Sequence, residues 1–366
     1  RDLPSFPTRR YSDLYNWSLK KMNQVKPLNV FIKGIFLFII LNLLIALGQP
    51  NIGRISLYNS IFTGRERLPF GENPKQSYNL SLFDLDAMFA SHVIHGTEKT
   101  EYEFRVIVIG DSSVWGTLLK PEETLTGQLN QMNLSACGKN VKTYNIGYPT
   151  ISLTKDVMVL EYAMQYQPDL VLWMTTLDAF PIEKQMSPIV ENNQKQKSFW
   201  EKTFIGDRRA WADLIRLQIY GVMWSATGVD QIYPDTYEKA QTDFDVDESY
   251  HDFVKPNLDE NLLALNMLEE GFNIAGEIPL ILVNEPMLIS SGNNSDIRYN
   301  FFYPRWAYDE YRNMINELSE ENNWQYVDLW DILPANEFTN SAIHLTPAGE
   351  KMLAESLAPY IEGSCQ

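Results

Sequence analysis

Hydrophobic and polar positions divide the chain into three stretches that follow different rules. Residues 30–48 (VFIKGIFLFIILNLLIALG) are apolar on every helical face, with Lys33 the only charge. At 1.5 Å per residue such a helix spans about 28 Å, close to the roughly 30 Å hydrocarbon layer of a bilayer. Residues 50–80 turn polar, with Gly53, Gly64, Pro69, Gly71 and Pro74 scattered through them, which is the pattern of a tether. Beyond it, short apolar runs alternate with stretches of helical spacing. Residues 104–110 (FRVIVIG), 141–147 (VKTYNIG), 169–175 (DLVLWMT), 278–283 (IPLILV) and 326–329 (YVDL) predict five strands. Residues 155–165 and 306–321 predict helices, and Thr346 followed by Pro347 opens a last amphipathic helix to Tyr360. Strands of continuous apolar character are buried on both faces. The alternation therefore predicts an α/β fold, a doubly wound parallel five-stranded sheet over residues 81–362. Strand signals vanish over 181–257, which reads as an insertion with an aromatic amphipathic stretch (200–224) and an acidic segment (243–252). An insertion at the C-terminal edge of a sheet either caps a binding crevice or decorates the domain.

Charge changes the picture at the N-terminal end. The chain holds 30 Lys and Arg against 47 Asp and Glu, a net of -17. Residues 1–49 carry seven basic and two acidic side chains, a net of +5, which leaves -22 for the remainder. Lys20, Lys21, Lys26 and Lys33 on the N-terminal side of an apolar span follow the positive-inside rule. Residues 22–49 therefore read as a single-pass membrane anchor through residues 30–48, with the acidic domain outside the cytoplasm. Ala46-Leu47-Gly48 is a small-x-small site, so a cleaved signal peptide is the rival reading, although the long apolar stretch favours an anchor. Residues 1–21 stand apart. FPTRRYSDL within them reads like a translated sequencing adapter, so this stretch is expected to be an artefact or a cytoplasmic tail, with Met22 as the start. The acidic balance repels phosphate backbones and excludes nucleic acid as a partner.

Cys137 and Cys365 are too few for a disulfide framework. One bridge is chemically allowed outside the cytoplasm, but sequence does not bring their Cα atoms within the roughly 7 Å a bridge needs, so two free thiols are expected.

The motifs of dinucleotide sites, phosphate loops, zincins and nucleophile elbows are missing. Asp243, Asp245 and Asp247 open like a calcium loop, yet Glu248 stands where Gly is required and Val254 where a bidentate Glu belongs. His92 and His95 lack an accompanying carboxylate cluster and read as structural. Neither a metal nor a cofactor is expected. What remains is Gly110-Asp111-Ser112-Ser113 at the end of the first strand and His344 just before the last helix. A serine hydroxyl is a poor nucleophile until a base takes its proton, and a strand-to-helix turn offers backbone N–H groups to an oxyanion. Taken singly, the turn reads as an Asx or Ser cap and the histidine as a surface residue.

Together these residues resemble the SGNH/GDSL hydrolase family, over about 260 residues from Phe104 to Ile361. The resemblance implies Ser112 as nucleophile, its own N–H and that of Gly147 (in Asn145-Ile146-Gly147) as oxyanion donors, and His344 as general base. Two positions depart from the family pattern. Leu177, in Thr175-Thr176-Leu177-Asp178, replaces the oxyanion-binding Asn, and Ser341 replaces the Asp three residues before the His. The hydroxyl of Thr176 or Thr175 is the expected substitute donor, while Asn340, Ser341, Glu337 or a backbone carbonyl is expected to orient the His. The resemblance implies an extracytoplasmic serine esterase or O-acyltransferase in a bacterial cell envelope, with a small acyl ester or acylated glycan as substrate. A catalytically silent relative binding carbohydrate or a partner, and a structural envelope protein, are the alternatives.

Overall fold

The computed structural model describes residues 26–50, 81–90, 92–185, 198–227 and 236–365. The first 25 residues, the tether after Pro50 and two parts of the insertion lie outside them. Of the described residues, those up to Pro50 together with 198–211 form one compact unit, and the others form a second.

The first unit is built on helix α1, Pro27–Gly48, which starts three residues before the apolar run because Pro27 is favoured in a first helical turn. Its mean hydropathy reaches 2.7, so by length and composition it suffices to cross a membrane. Most of its large apolar side chains are exposed, whereas Asn42 and Ala46 are buried.

In the second unit, helix α2 (Leu85–Phe89) leads to strand β1 (Glu103–Gly110), the short helix α3 (Ser112–Trp115), helix α4 (Leu125–Gln131), strand β2 (Ser135–Ala136) and strand β3 (Lys139–Gly147). Helix α5 (Leu153–Ala163), strand β4 (Leu170–Thr175), helix α6 (Arg208–Thr227), which starts in the first unit, and helix α7 (Asn266–Ala275) follow. Strand β5 (Leu280–Asn284), helix α8 (Arg305–Asn322), strand β6 (Gln325–Asp328) and helix α9 (Pro347–Glu362) complete the chain. The sheet order is β2-β3-β1-β4-β5-β6, with every pair parallel except β2 with β3. This is the doubly wound α/β fold expected, in flavodoxin-like order, with a sixth strand added. Two residues, Ser135 and Ala136, are too short for a periodic signal, which is why the sequence suggests five strands.

Alternation along β1 supplies both cores. Ile107 and Ile109 join Trp173 and Leu282 on one face, under Val157 and Leu160 of α5, Leu268 of α7 and Ile315 of α8. Val106 and Val108 join Leu172 and Val283 on the other, under Leu125 and Leu129 of α4 and Leu353 and Leu357 of α9. The order reverses between β3 and β4, on either side of β1, so the crevice beyond the C-terminal end of β1 is the topological switch point where such sheets take ligands.

The cysteines depart from expectation. Cys137, in the turn between β2 and β3, and Cys365, just after α9, form a disulfide with Cα atoms 5.4 Å apart. Helix α9 packs against α4 on the face of the sheet beside β2, which brings together residues 228 apart in sequence.

Candidate active site

Strand β1 ends at Gly110, and the chain turns at once into α3. Asp111 caps that helix, its carboxylate accepting from Ser113 N at 2.8 Å, which satisfies one of the donors a helix start leaves free. The helix is four residues long because Gly116, at φ 82°, closes it in a left-handed conformation and donates to the carbonyls of Ser112 and Ser113. Ser112 stands at its first position, where a backbone N–H has no intrahelical acceptor.

His344 is held by a loop folded back on itself. Thr339 N donates to the His344 carbonyl at 2.8 Å, Thr346 N donates to the Glu337 carbonyl at 2.9 Å, and Leu288 N reaches the Ala342 carbonyl at 2.7 Å. The loop sets His344 Nε2 2.9 Å from Ser112 Oγ. On the other side of the ring, Nδ1 lies 3.1 Å from Asn340 Oδ1. With a carbonyl oxygen facing it, Nδ1 carries the proton and Nε2 is left as an acceptor for the serine hydroxyl. Burial lowers the pKa of His344 from its ordinary value, with Asp111 pulling the other way. The neutral, proton-accepting ring is therefore the form present at pH 7.

Of the orienters open from sequence, Asn340 is the side chain that meets Nδ1. Glu337 instead accepts from the Thr346 hydroxyl at the start of α9.

The oxyanion side differs more. Gly147 N donates to Asn145 Oδ1 at 2.9 Å, so the N–H assigned to an oxyanion is already engaged. What its missing side chain provides is room: a Cβ there would lie 2.3 Å from Trp115 N. Asn145 ties the same two segments together, its Nδ2 donating to the Val114 carbonyl at 2.8 Å. The Thr176 hydroxyl is paired with Tyr303 at 3.0 Å, and Leu177, where the sequence resemblance implies an oxyanion-binding Asn, is fully buried in the core. The Thr175 hydroxyl is buried with no hydrogen-bond partner among the described residues.

Buried polar groups that sequence reasoning missed adjoin the turn carrying Ser112 and the end of β4. The Ser113 hydroxyl donates to the Glu285 carboxyl, which burial, with Asp111 nearby, pushes well above its ordinary pKa. Lys155 is completely buried: its ammonium donates to the Gly110 carbonyl at 2.7 Å and the Tyr148 carbonyl at 3.3 Å, and it pairs with Asp156. Asp156 also accepts from Trp173 Nε1 at 3.2 Å. Lys155 thus joins the end of β1 to the residue after Gly147. At the end of β4, Asp178 binds Lys184 at 3.0 Å and His251 Nε2 at 2.9 Å, and His251 Nδ1 reaches Glu183 at 2.6 Å. Burial holds the pKa of His92 down at about 4, against the opposing hydrogen bond to the Met88 carbonyl.

No protein-family model and no curated protein sequence matches the chain. Solved structures that it resembles include a lipase/acylhydrolase from Enterococcus faecalis, at 14% identity over 72% of this chain and 97% of that one, TM-score 0.39. A carbohydrate acetylesterase family member from Sinorhizobium meliloti matches at 12% identity over 71% and 98%, TM-score 0.35. The inhibitor-bound aryl esterase of M. smegmatis matches at 14% identity over 70% and 97%, TM-score 0.35.

Proposed function

We propose that this protein is an SGNH-type serine esterase or O-acyltransferase working through an acyl-Ser112 intermediate. The observation that carries the reading is the 2.9 Å contact between Ser112 Oγ and His344 Nε2, with Nδ1 held by Asn340. His344 takes the Ser112 proton as Oγ attacks the acyl carbon, then returns it to the departing alcohol as the ester C–O bond breaks. Water or a sugar hydroxyl next gives its proton to His344, takes the acyl group, and Ser112 is reprotonated. The Ser112 N–H is the donor best matched to the developing oxyanion.

The anchor reading of α1 and an extracytoplasmic domain are part of this proposal. Lysines ahead of the helix support the orientation, and the Cys137–Cys365 bridge independently supports an oxidising compartment. An acyl group on a cell-envelope polysaccharide is the substrate class that suits a site tethered there.

A second reading has its own support. The Gly147 N–H is engaged by Asn145 and the family's Asn is replaced by Leu177, which suits a silent relative that binds an acylated glycan or a partner without turnover. A serine-directed phosphonate distinguishes the two. Labelling of the wild type that is lost in Ser112→Ala supports the enzyme. An unlabelled wild type that still retains acylated polysaccharide supports the binder.

A further inference from the structure

We propose that residues 198–209 form a membrane-interface element, seated on the outer end of α1, that inserts Phe199 and Trp200 among lipid headgroups. The proposal rests on the reading of α1 as a membrane span and adds a second lipid contact to it. Asn42 Oδ1 accepts from Ile205 N at 3.1 Å, and Gln49 Nε2 donates to the Lys202 carbonyl at 3.1 Å. Asn42, Ala46 and Gln49 fall on one helical face, and the first two are the residues of α1 that are buried. An Asn in an otherwise apolar span leaves a polar group to be satisfied, and the Ile205 amide satisfies it.

Depth follows from the spacing. Asn42 lies six residues before the end of α1 at Gly48, about 9 Å along the axis. The segment therefore runs beside the last two turns of the helix, where acyl chains give way to headgroups. It is a folded element with its own bonds. The Thr203 hydroxyl donates to the Trp200 carbonyl at 2.7 Å and accepts from Gly206 N at 3.0 Å, and Asp207 N reaches the Thr203 carbonyl at 3.0 Å.

What it leaves uncovered is the pair of adjacent aromatics, Phe199 at 53% exposure and Trp200 at 61%. Two large rings side by side in water are costly, whereas a bilayer interface is where an indole with an apolar body and one N–H donor is favoured. Exposed Arg208 and Arg209 follow on the same element, with stems long enough to keep their charge at headgroup level.

Because Cys137 and Cys365 are bridged, a single introduced cysteine is the one free thiol of the full chain. We would label Trp200→Cys, Phe199→Cys, Leu37→Cys and, as the aqueous reference, Tyr102→Cys with an environment-sensitive fluorophore. Each is reconstituted in phosphatidylcholine vesicles carrying a nitroxide at the headgroup or at mid-chain. The expected result is that labels at 199 and 200 are blue-shifted and quenched several-fold more by the headgroup nitroxide than the label at 102, while the label at 37 is quenched by the mid-chain nitroxide. Asn42→Leu should reduce quenching at 200 and leave it unchanged at 37. Quenching at 37 with water-like labels at 199 and 200 overturns the proposal alone. Labels at 199 and 200 shielded from water yet unquenched by either lipid overturn it in favour of a protein contact. No quenching at 37 removes the membrane span, and the proposal with it.

Discussion

Asn340 Oδ1 lies 3.1 Å from His344 Nδ1, on the side of the ring opposite Ser112. A neutral amide here fixes tautomer and orientation, but stabilises an imidazolium less than a carboxylate does. A neutral hydrogen bond contributes about 1 kcal/mol, so Asn340→Ala is expected to lower kcat roughly fivefold to tenfold. Asn340→Asp should raise kcat and move the acidic limb of the pH profile upward, because a carboxylate favours the protonated ring. Ser341→Asp should leave the rate unchanged, since Nδ1 already has its partner. Steady-state kinetics on a short-chain acyl ester across pH checks all three, and a rate gain from Ser341→Asp alone would reassign the orienter.

Two serines follow Asp111, and their hydroxyls have different neighbours. Ser112 meets the imidazole, whereas Ser113 is tied to Glu285. Ser112→Ala and His344→Ala should each lower kcat by a common factor, on the order of 10⁴ or more, with the double variant no worse. Ser113→Ala should stay within about tenfold of wild type, as expected for a hydroxyl outside the reacting set. The lowered pKa of His344 keeps its neutral form present below the ordinary histidine value, so kcat/KM should hold level as pH falls through about 6.5 and drop only below it.

Strands β1, β4 and β5 are legible in sequence because both their faces are buried, which leaves unbroken apolar runs such as Val106 to Ile109, whereas β6, at the sheet edge, buries only Val327. Helix α7 is not legible, because its buried residues are Leu268, Gly271 and Ala275, two of them too small to mark a hydrophobic stripe. At the site, Ser112 and His344 are legible through the local motifs that hold them. Asn340 is legible only as one of several orienters. Lys155, Glu285, Tyr303 and His251 are invisible, because each takes its role from a partner that folding alone brings close. Glu285 meets Ser113 across 172 residues, and Lys155 meets Gly110 across 45.

Lys155 is a positioning residue in this arrangement. Its ammonium binds the carbonyls of Gly110 and Tyr148, so it sets the spacing between the segment carrying Ser112 and the segment carrying Gly147. Misplacement of reacting groups by about 1 Å can cost on the order of 10²-fold, so Lys155→Met is expected to lower kcat by about tenfold or more with KM nearly constant. Rates normalised to sites titrated by a phosphonate separate this from simple misfolding. An unchanged kcat per titrated site, with only the melting temperature lowered, would leave Lys155 a purely structural residue.

The Cys137–Cys365 bridge closes a loop of 228 residues. Constraint of the unfolded chain predicts that Cys137→Ser loses about 2–4 kcal/mol of stability. Thiol titration of the unfolded protein should find none before reduction and two after it.

Glu350 gives a stability change with a definite sign. It lies in the first turn of α9, fully buried, and burial raises its pKa from 4.5 to about 8 against the opposing hydrogen bond from the Leu125 backbone. The folded protein thus holds a proton at pH 7 that the unfolded chain has released. A folded pKa above the unfolded one gives stability that is fully present below about 4.5 and is lost as pH rises through about 8, on the order of 5 kcal/mol across that window. Glu285, likewise pushed up by burial, acts in the same direction, so the slope of the wild type alone does not isolate Glu350. Glu350→Gln does: it keeps an oxygen acceptor for Leu125 N and removes the titration. The melting temperatures of wild type and variant should lie close together near pH 5 and diverge toward pH 9, with the variant the more stable. Parallel curves across that range would mean that Glu350 ionises at its ordinary pKa inside the folded protein.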